Sequence, residues 1–190
     1  MSNPPDKLRL RPLIQLVHHR WNVPVIAELH RRSGAKFVTL ANSLGASRNS
    51  LTVSLNDLID QGYVQRNPGH GHPMRPEYLL TNKGEAVGKY CLRLARLIDR
   101  RDDADLGYRK WTLPLVAAIG HGVRRFGELR DTLGDAATPR ATTLGLKAML
   151  AADWAERTLI DDYPPTAGYR LVAKGRRILR PVNNLLQTGV

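Results

Sequence analysis

The sequence predicts a mainly α fold with small β-hairpins (α+β), built twice along the chain, and three observations lead there. The first is an internal repeat. RKWTLPLVAAIGHGVRRFGELRDTLG, starting at Arg109, has the skeleton of HRWNVPVIAELHRRSGAKFVTLANSLG, starting at His19. Trp21 answers Trp111, Pro24 answers Pro114, Leu29 answers Ile119, Phe37 answers Phe126 and Leu40 answers Leu129. Residues 47–66 parallel 138–157, and residues 73–87 parallel 164–178. A repeat this long is one small domain used twice, so a function read from one copy must be asked of the other. The second observation is apolar spacing, helical through most of each copy and strand-like near its end. The third is punctuation, with Gly, Ser, Thr and Pro standing where helices must start or stop.

Leu10, Leu13, Ile14 and Val17 fall at helical spacing and predict a first amphipathic helix. A second begins around Trp21 to Pro24, buries Val25, Ile26 and Leu29, and stops at Ser33-Gly34. Residues 37–44 form a short third helix ended by Gly45. Ser47 caps a fourth, because its hydroxyl accepts a hydrogen bond from a free first-turn amide. Leu51, Leu55, Leu58 and Ile59 are that helix's buried stripe, and Gly62 closes it. Tyr63-Val64-Gln65 reads as a strand, residues 67–73 as a Gly- and Pro-rich loop, and residues 77–81 as the return strand. Three helices and then a two-stranded hairpin is the order of the winged helix-turn-helix. The second copy repeats it, with Thr138 as cap, Pro139 at the first helical position and residues 161–165 as the loop.

Between the copies, residues 82–105 read as one long helix. Val87, Cys91, Leu94 and Ile98 lie at steps of four, three and four, and Tyr90 and Leu97 widen this seam. It predicts packing against another helix, either the N-terminal one or one from a second chain. Asp102-Asp103-Ala104-Asp105 ends the element and Gly107 starts the next domain. The domains expected are thus 1–88, a first winged helix with its N-terminal helix; 89–107, a helical linker continuing the first domain's last helix; and 108–190, a second winged helix.

At 190 residues the chain holds two domains of roughly 80–100 residues, each near the lower limit for a self-sufficient core. The formal net charge is +12 and the sequence pI about 10.4. Residues 1–88 carry 11 Lys/Arg against 6 Asp/Glu and residues 109–190 carry 13 against 7, so each copy is basic in itself and there is no separate basic tail. A polyanion is the natural partner. The single cysteine, Cys91, excludes an intramolecular disulfide framework and a multi-cysteine zinc site. Its place in the seam predicts burial, whereas a sensor thiol needs exposure. With no run of 18 apolar residues and no signal-peptide stretch, the expectation is a cytoplasmic, nucleoid-associated protein with no membrane partner. No Gly-rich phosphate loop, nucleophile elbow or recognisable carboxylate pair points to an enzyme or a cofactor. His70-x-His72 has no Asp, Glu or Cys in its loop to complete a metal site.

With the leucines inward, the fourth helix turns Arg48, Asn49, Thr52, Val53 and Asn56 outward. Arg and Asn carry the forks that match guanine and adenine edges in the major groove. The first turn of the second helix of a helix-turn-helix is where such residues meet bases. Ser47 and Ser50 flank them, and Lys36 and Thr39 on the preceding helix lie within reach of a DNA backbone. His70, His72 and Arg75 make the first wing cationic, suited to phosphates or a minor groove. In the second copy the corresponding candidates are Arg124, Arg125, Thr138, Arg140, Thr143 and Lys147, with Leu144 outward beside them. There Gly145 lowers helix propensity by ~1 kcal/mol in mid-element. Asp161 and Asp162 stand in the second wing and repel phosphates, so the halves are expected to be unequal, the first better suited to reading bases.

These motifs resemble the HxlR family of winged-helix transcription regulators. The second copy carries the resemblance in Arg109-Lys110-Trp111, in Arg124-Arg125-Phe126-Gly127-Glu128-Leu129, and in Pro164-Pro165 followed by Gly168-Tyr169-Arg170-Leu171. The first carries it in Ser47, Leu51-Thr52, Leu55, Leu58, Gly62-Tyr63-Val64 with Arg66, and Glu77-Tyr78-Leu79-Leu80-Thr81 with Gly84. The resemblance covers roughly residues 19–88 and 109–180. It implies a regulator that binds double-stranded DNA, of a kind that usually works as a homodimer of single-domain chains. This chain departs from the pattern by fusing two copies and by lacking the family's cysteine shortly before the tryptophan helix, so thiol sensing is not carried over. The fusion predicts a pseudo-dimer within one monomer, the seam and the N-terminal helix replacing intermolecular packing; a homodimer of tandem chains is the other arrangement. Two rival readings stay open, a sequence-tolerant architectural DNA-binding protein and a winged-helix module that grips another polypeptide.

Overall fold

A computed structural model describes residues 8–67, 77–98, 101–160 and 165–189. The first half runs α1 (Arg11–Leu16), α2 (Asn22–Arg32), β1 (Ala35–Lys36), α3 (Phe37–Leu44), α4 (Arg48–Asp60), β2 (Val64–Asn67), β3 (Glu77–Leu80) and α5 (Asn82–Ile98). The second runs α6 (Arg101–Gly107), α7 (Thr112–Gly120), α8 (Phe126–Leu133), α9 (Pro139–Ala151), β4 (Ala155–Ile160), β5 (Thr166–Leu171) and α10 (Ala173–Gln187). This is the mainly helical, winged helix-turn-helix architecture expected, present twice.

Local chemistry sets the boundaries. Ser33, in the left-handed region at φ 59°, ends α2, and Gly45 at φ 63° ends α3. Ser47 caps α4 by accepting from the Ser50 amide at 3.2 Å, and Thr138 caps α9 by accepting from the Ala141 amide at 3.1 Å. The turn into the wing needs a left-handed residue in both halves. Gly62 takes it at φ 75° and Asp153, its counterpart, at φ 55°, where a side chain costs roughly 1 kcal/mol. Leu51, Leu55 and Leu58 are buried as expected; Ile59 is only partly so, and Ser54 joins the buried face.

The sheets differ between halves. In the first, β3 lies between β1 and β2, all antiparallel, with Ala35 opposite Tyr78 and Val64 opposite Leu80. In the second, β4 and β5 form a longer two-stranded ribbon from Ala155 opposite Leu171 to Ile160 opposite Thr166. The strand preceding α8 is reduced there to one bridge, between Arg125 and Gly168.

The expected single helix over 82–105 is instead two helices, α5 and α6. A Cβ added at Gly107 would lie 2.5 Å from Ile98 Cγ2, so the two residues touch. In one continuous helix nine residues apart they would be separated by about 13 Å. The chain therefore folds back between them. The seam on α5 (Val87, Cys91, Leu94, Ile98) is buried, and α5 packs on α2 and on α10 of the same chain. The N-terminal helix, α1, instead reaches α7 and α10. Arg20 and Asp105 form an ion pair at 2.5 Å between the halves. One hydrophobic cluster runs through both halves, from Leu10 to Leu185. Asp102 to Asp105 do not end a helix, since α6 runs through them to Gly107; Asp103 is buried beside Trp154 and Lys174, while Asp105 is exposed.

Candidate nucleic-acid interface

The first turns of α4 form an exposed, uncharged-to-cationic ridge. Ser47, Arg48, Asn49, Ser50, Thr52, Val53 and Asn56 are exposed on it. The Ser47 hydroxyl donates to Ser50 Oγ at 2.9 Å, and Thr52 Oγ1 donates to the Arg48 carbonyl at 2.9 Å, which fixes both short side chains against the helix. Among the described residues no carboxylate pairs with Arg48 or with Lys36, the exposed N-cap of α3. The helix has no acidic residue before Asp57, in its last turn. Thr39 is half-buried on α3, its carbonyl engaged by Ser43 Oγ at 2.8 Å.

An ion cluster around the buried Glu28 holds α3 in place. Glu28 on α2 accepts from Arg31 at 2.7 and 2.8 Å and from Arg32 at 2.5 Å, and Arg32 also donates to Ser43 Oγ on α3 at 3.1 Å. The Arg31 hydrogen bonds are the main cause that holds the Glu28 carboxyl down at about pKa 2. Sequence reading missed this cluster, although Glu followed by Arg at three and four residues was a visible signal. It also missed Val38, 59% exposed on α3 next to the candidate face.

The second half places its candidates differently. Thr138 is the cap of α9, Arg140 and Lys147 are exposed, and Thr143 is half-buried with its hydroxyl donating to the Pro139 carbonyl at 2.9 Å. Arg48 and Asn49 are replaced here by Pro139 and Arg140. Gly145 does not interrupt α9; a Cβ there would lie 2.7 Å from Leu115 Cδ1, so the glycine admits that leucine. Arg124 is exposed without an ion pair among the described residues, whereas Arg125 is drawn to Glu128 at 3.1 Å. Arg130 pairs with Asp131 at 2.8 Å, and Arg170 pairs with Glu156. Arg125, Arg130 and Arg170 are thus each met by a carboxylate of their own half. His70, His72 and Arg75 of the first wing, and Asp161 and Asp162 of the second, lie outside the described residues.

Cys91 is fully buried, and burial pushes its thiol up to about pKa 12. A thiolate is not available there near neutral pH, which removes the redox-sensor reading.

The model of the HxlR-like helix-turn-helix family matches the chain twice in tandem, over residues 16–105 and 107–189. The chain belongs to that family. An HxlR-like helix-turn-helix fits the exposed second helix, the hairpin and the closing helix of each half, and membership points to a DNA-binding transcription regulator. A search of curated proteins returns no match. Among the described residues no helix is long and apolar enough to cross a membrane, and no group of three or more His, Cys, Asp or Glu is arranged to hold a metal ion.

Proposed function

We propose that this HxlR-like protein reads duplex DNA mainly with its first half. In this reading α4 enters the major groove with Arg48 and Asn49 at base edges, while Ser47, Ser50, Thr52 and Val53 line the approach. Lys36 and Thr39 meet the backbone, and the first wing, with His70, His72 and Arg75, lies on phosphates or in a minor groove. The second half grips the backbone through Arg124, Arg140 and Lys147, with Arg125, Thr138 and Thr143 at its edge. The observation that carries this is the acid-free exposed first turns of α4, bearing Arg48 and Asn49 with no carboxylate partner among the described residues.

The packing of α5 on α10, and of α1 on α7 and α10, supports a fused pseudo-dimer acting as one chain. Two reading helices in such an arrangement serve half-sites one turn of DNA apart, ~34–36 Å. Selection of binding sites from random duplexes, followed by competition against unselected DNA, tests the function. A specific site favoured by about 10³-fold or more is expected. Equal affinity for all duplexes would leave only an architectural role, and no binding at low salt would leave protein docking. The mass of the free protein with a footprint of the complex tests the pseudo-dimer: a monomer spanning two half-sites is expected, and a dimer in the absence of DNA would refute it.

A further inference from the structure

Beneath the C-terminal end of α4 lies a cleft of about 610 Å³, walled by Gln15 of α1, His18, Asp57 and Gln61 at the end of α4, Tyr63, and Lys83 in the first turn of α5. Gly189, just past α10, closes one side, so the cleft touches both halves.

In the second half the counterpart of Lys83 is met by a carboxylate of the chain itself. α6 leads into Trp111 as α1 leads into Trp21, and its Asp103 is 3% exposed. That carboxylate pairs with Lys174 Nζ at 2.6 Å and accepts from Trp154 Nε1 at 3.3 Å. Trp154 and Lys174 are the counterparts of Tyr63 and Lys83, two walls of the first-half cleft. There the residue aligned with Asp103 is Leu13, buried in the core. Among the described residues no carboxylate reaches Lys83. Its ammonium donates to the Gln61 carbonyl at 3.0 Å and sits 4.1 Å from the centre of the Tyr63 ring. An ammonium has three N–H donors, so two remain for an incoming acceptor.

We propose that this cleft binds a small organic monocarboxylic acid, its carboxylate on Lys83 in the role that Asp103 plays on Lys174. The wall carboxylate, Asp57, restricts the charge of the ligand. Its Oδ2 is held by Asn22 Nδ2 at 2.6 Å and Gln61 Nε2 at 2.7 Å. This offsets its charge enough to admit one negative group, while a second on the ligand is repelled. The paired rings of His18 and His19, 4.7 Å apart, offer a surface for a ligand's ring or chain. Because Asp57 and Gln61 end the helix assigned to base reading, an acid bound here sits where it can alter that helix's seating.

Binding of the acid is measurable without DNA, so the test does not depend on the DNA-reading proposal. Sodium benzoate and its neutral isostere benzamide are titrated into the full chain and followed by the NMR signals of the Gln61 side-chain amide and the Tyr63 amide. Benzoate is expected to give saturable shifts there, and benzamide none. Lys83→Met is expected to weaken benzoate at least about tenfold, as loss of a charge-assisted bond requires. Lys83→Arg, which keeps the charge, is expected to retain binding, and unchanged thermal melts of both variants establish their fold. Absence of saturable shifts, equal binding of benzamide, or undiminished affinity in Lys83→Met would each overturn the proposal.

Discussion

In the first half the crossing of α2 and α5 is filled from α2: a Cβ on Gly88 would lie 2.6 Å from His30 Nδ1. In the second half the crossing of α7 and α10 is filled from the other side. α7 contributes Gly120 and α10 contributes Leu179, which covers it. The positions correspond, yet large and small have changed places. Each crossing needs one bulky and one minimal side chain to close-pack, and either helix can supply either. A second glycine pair behaves oppositely. Gly84 on α5 lies against the Tyr63 carbonyl, and Gly175 on α10 against the Trp154 carbonyl, with no room for a Cβ at either. Here the obstacle is backbone, fixed by accepting the Thr81 amide at 3.0 Å and the Val172 amide at 3.2 Å. Side-chain complementarity drifted between the copies; backbone contact could not.

The sharpest way to break this comparison is Gly84→Ala against Gly175→Ala. Both should destabilise by about 3 kcal/mol or more in denaturant unfolding, since neither carbonyl can retreat. A tolerant member of the pair would show that the halves are not equivalent at this contact. Next comes Gly88→Leu, expected to cost about 2 kcal/mol alone because His30 is in the way. Combined with His30→Gly it imitates the second half. The double variant should be less destabilised than the sum of the singles by about 1–2 kcal/mol; strict additivity would dismiss the exchanged-partner account.

On DNA, Arg48→Ala or Asn49→Ala should cost about 1–3 kcal/mol at a selected site and little on random duplex. Arg140→Ala should weaken both equally and flatten the salt slope by about one unit. Indistinguishable profiles would erase the proposed division between a reading half and a gripping half.

Acid separates the halves more gently. Glu28 has Ala118 as its counterpart, so this particular carboxylate serves the first half alone. Its folded pKa, about 2, lies below its ordinary 4.5. The stability it contributes is therefore fully present above about pH 4.5 and lost as pH falls toward 2. Glu28→Gln should cost roughly 1–2 kcal/mol at neutral pH and flatten the acid limb of the stability curve, while hydrogen exchange in α7 to α9 keeps its pH dependence. The smallest effect should come from Asp153→Gly, which relieves a left-handed side chain and stabilises by about 0.5–1 kcal/mol. The reverse change, Gly62→Asp, should destabilise by a similar amount; a destabilising Asp153→Gly or a stabilising Gly62→Asp would refute the strain argument.

Much of the fold was legible before any coordinates. Ser47 and Thr138 announced their helices, Ser33-Gly34, Gly45 and Gly62 ended theirs, and the hairpin positions followed from Tyr63-Val64 and Tyr78-Leu79. The exposed face of α4 was legible in part: burying Leu51, Leu55 and Leu58 turns Asn49 and Thr52 outward, while Arg48, on the leucines' side, is exposed because it opens the helix. Gly145 was misjudged as a weakness, since its value lies in Leu115 of α7, thirty residues earlier.

What the sequence determined by itself are the features whose energy is local. A cap, a left-handed stop or an apolar stripe is settled by hydrogen bonds and side chains within a turn or two, and the repeat states each of them twice. The break between α5 and α6 is of another kind. Residues 95–106 contain no Gly or Pro to mark a stop after Ile98. Between Ile98 and Gly107 the chain folds back so that these two residues pack together, while Asp103 is held by Trp154 and Lys174, far along the chain. The choice of α10 as partner for the seam, the exchange of large and small at the helix crossings, and the pairing of Lys174 with Asp103 where Lys83 meets only a carbonyl share that origin. Each depends on which distant side chains meet, and only the packed tertiary structure brings them together.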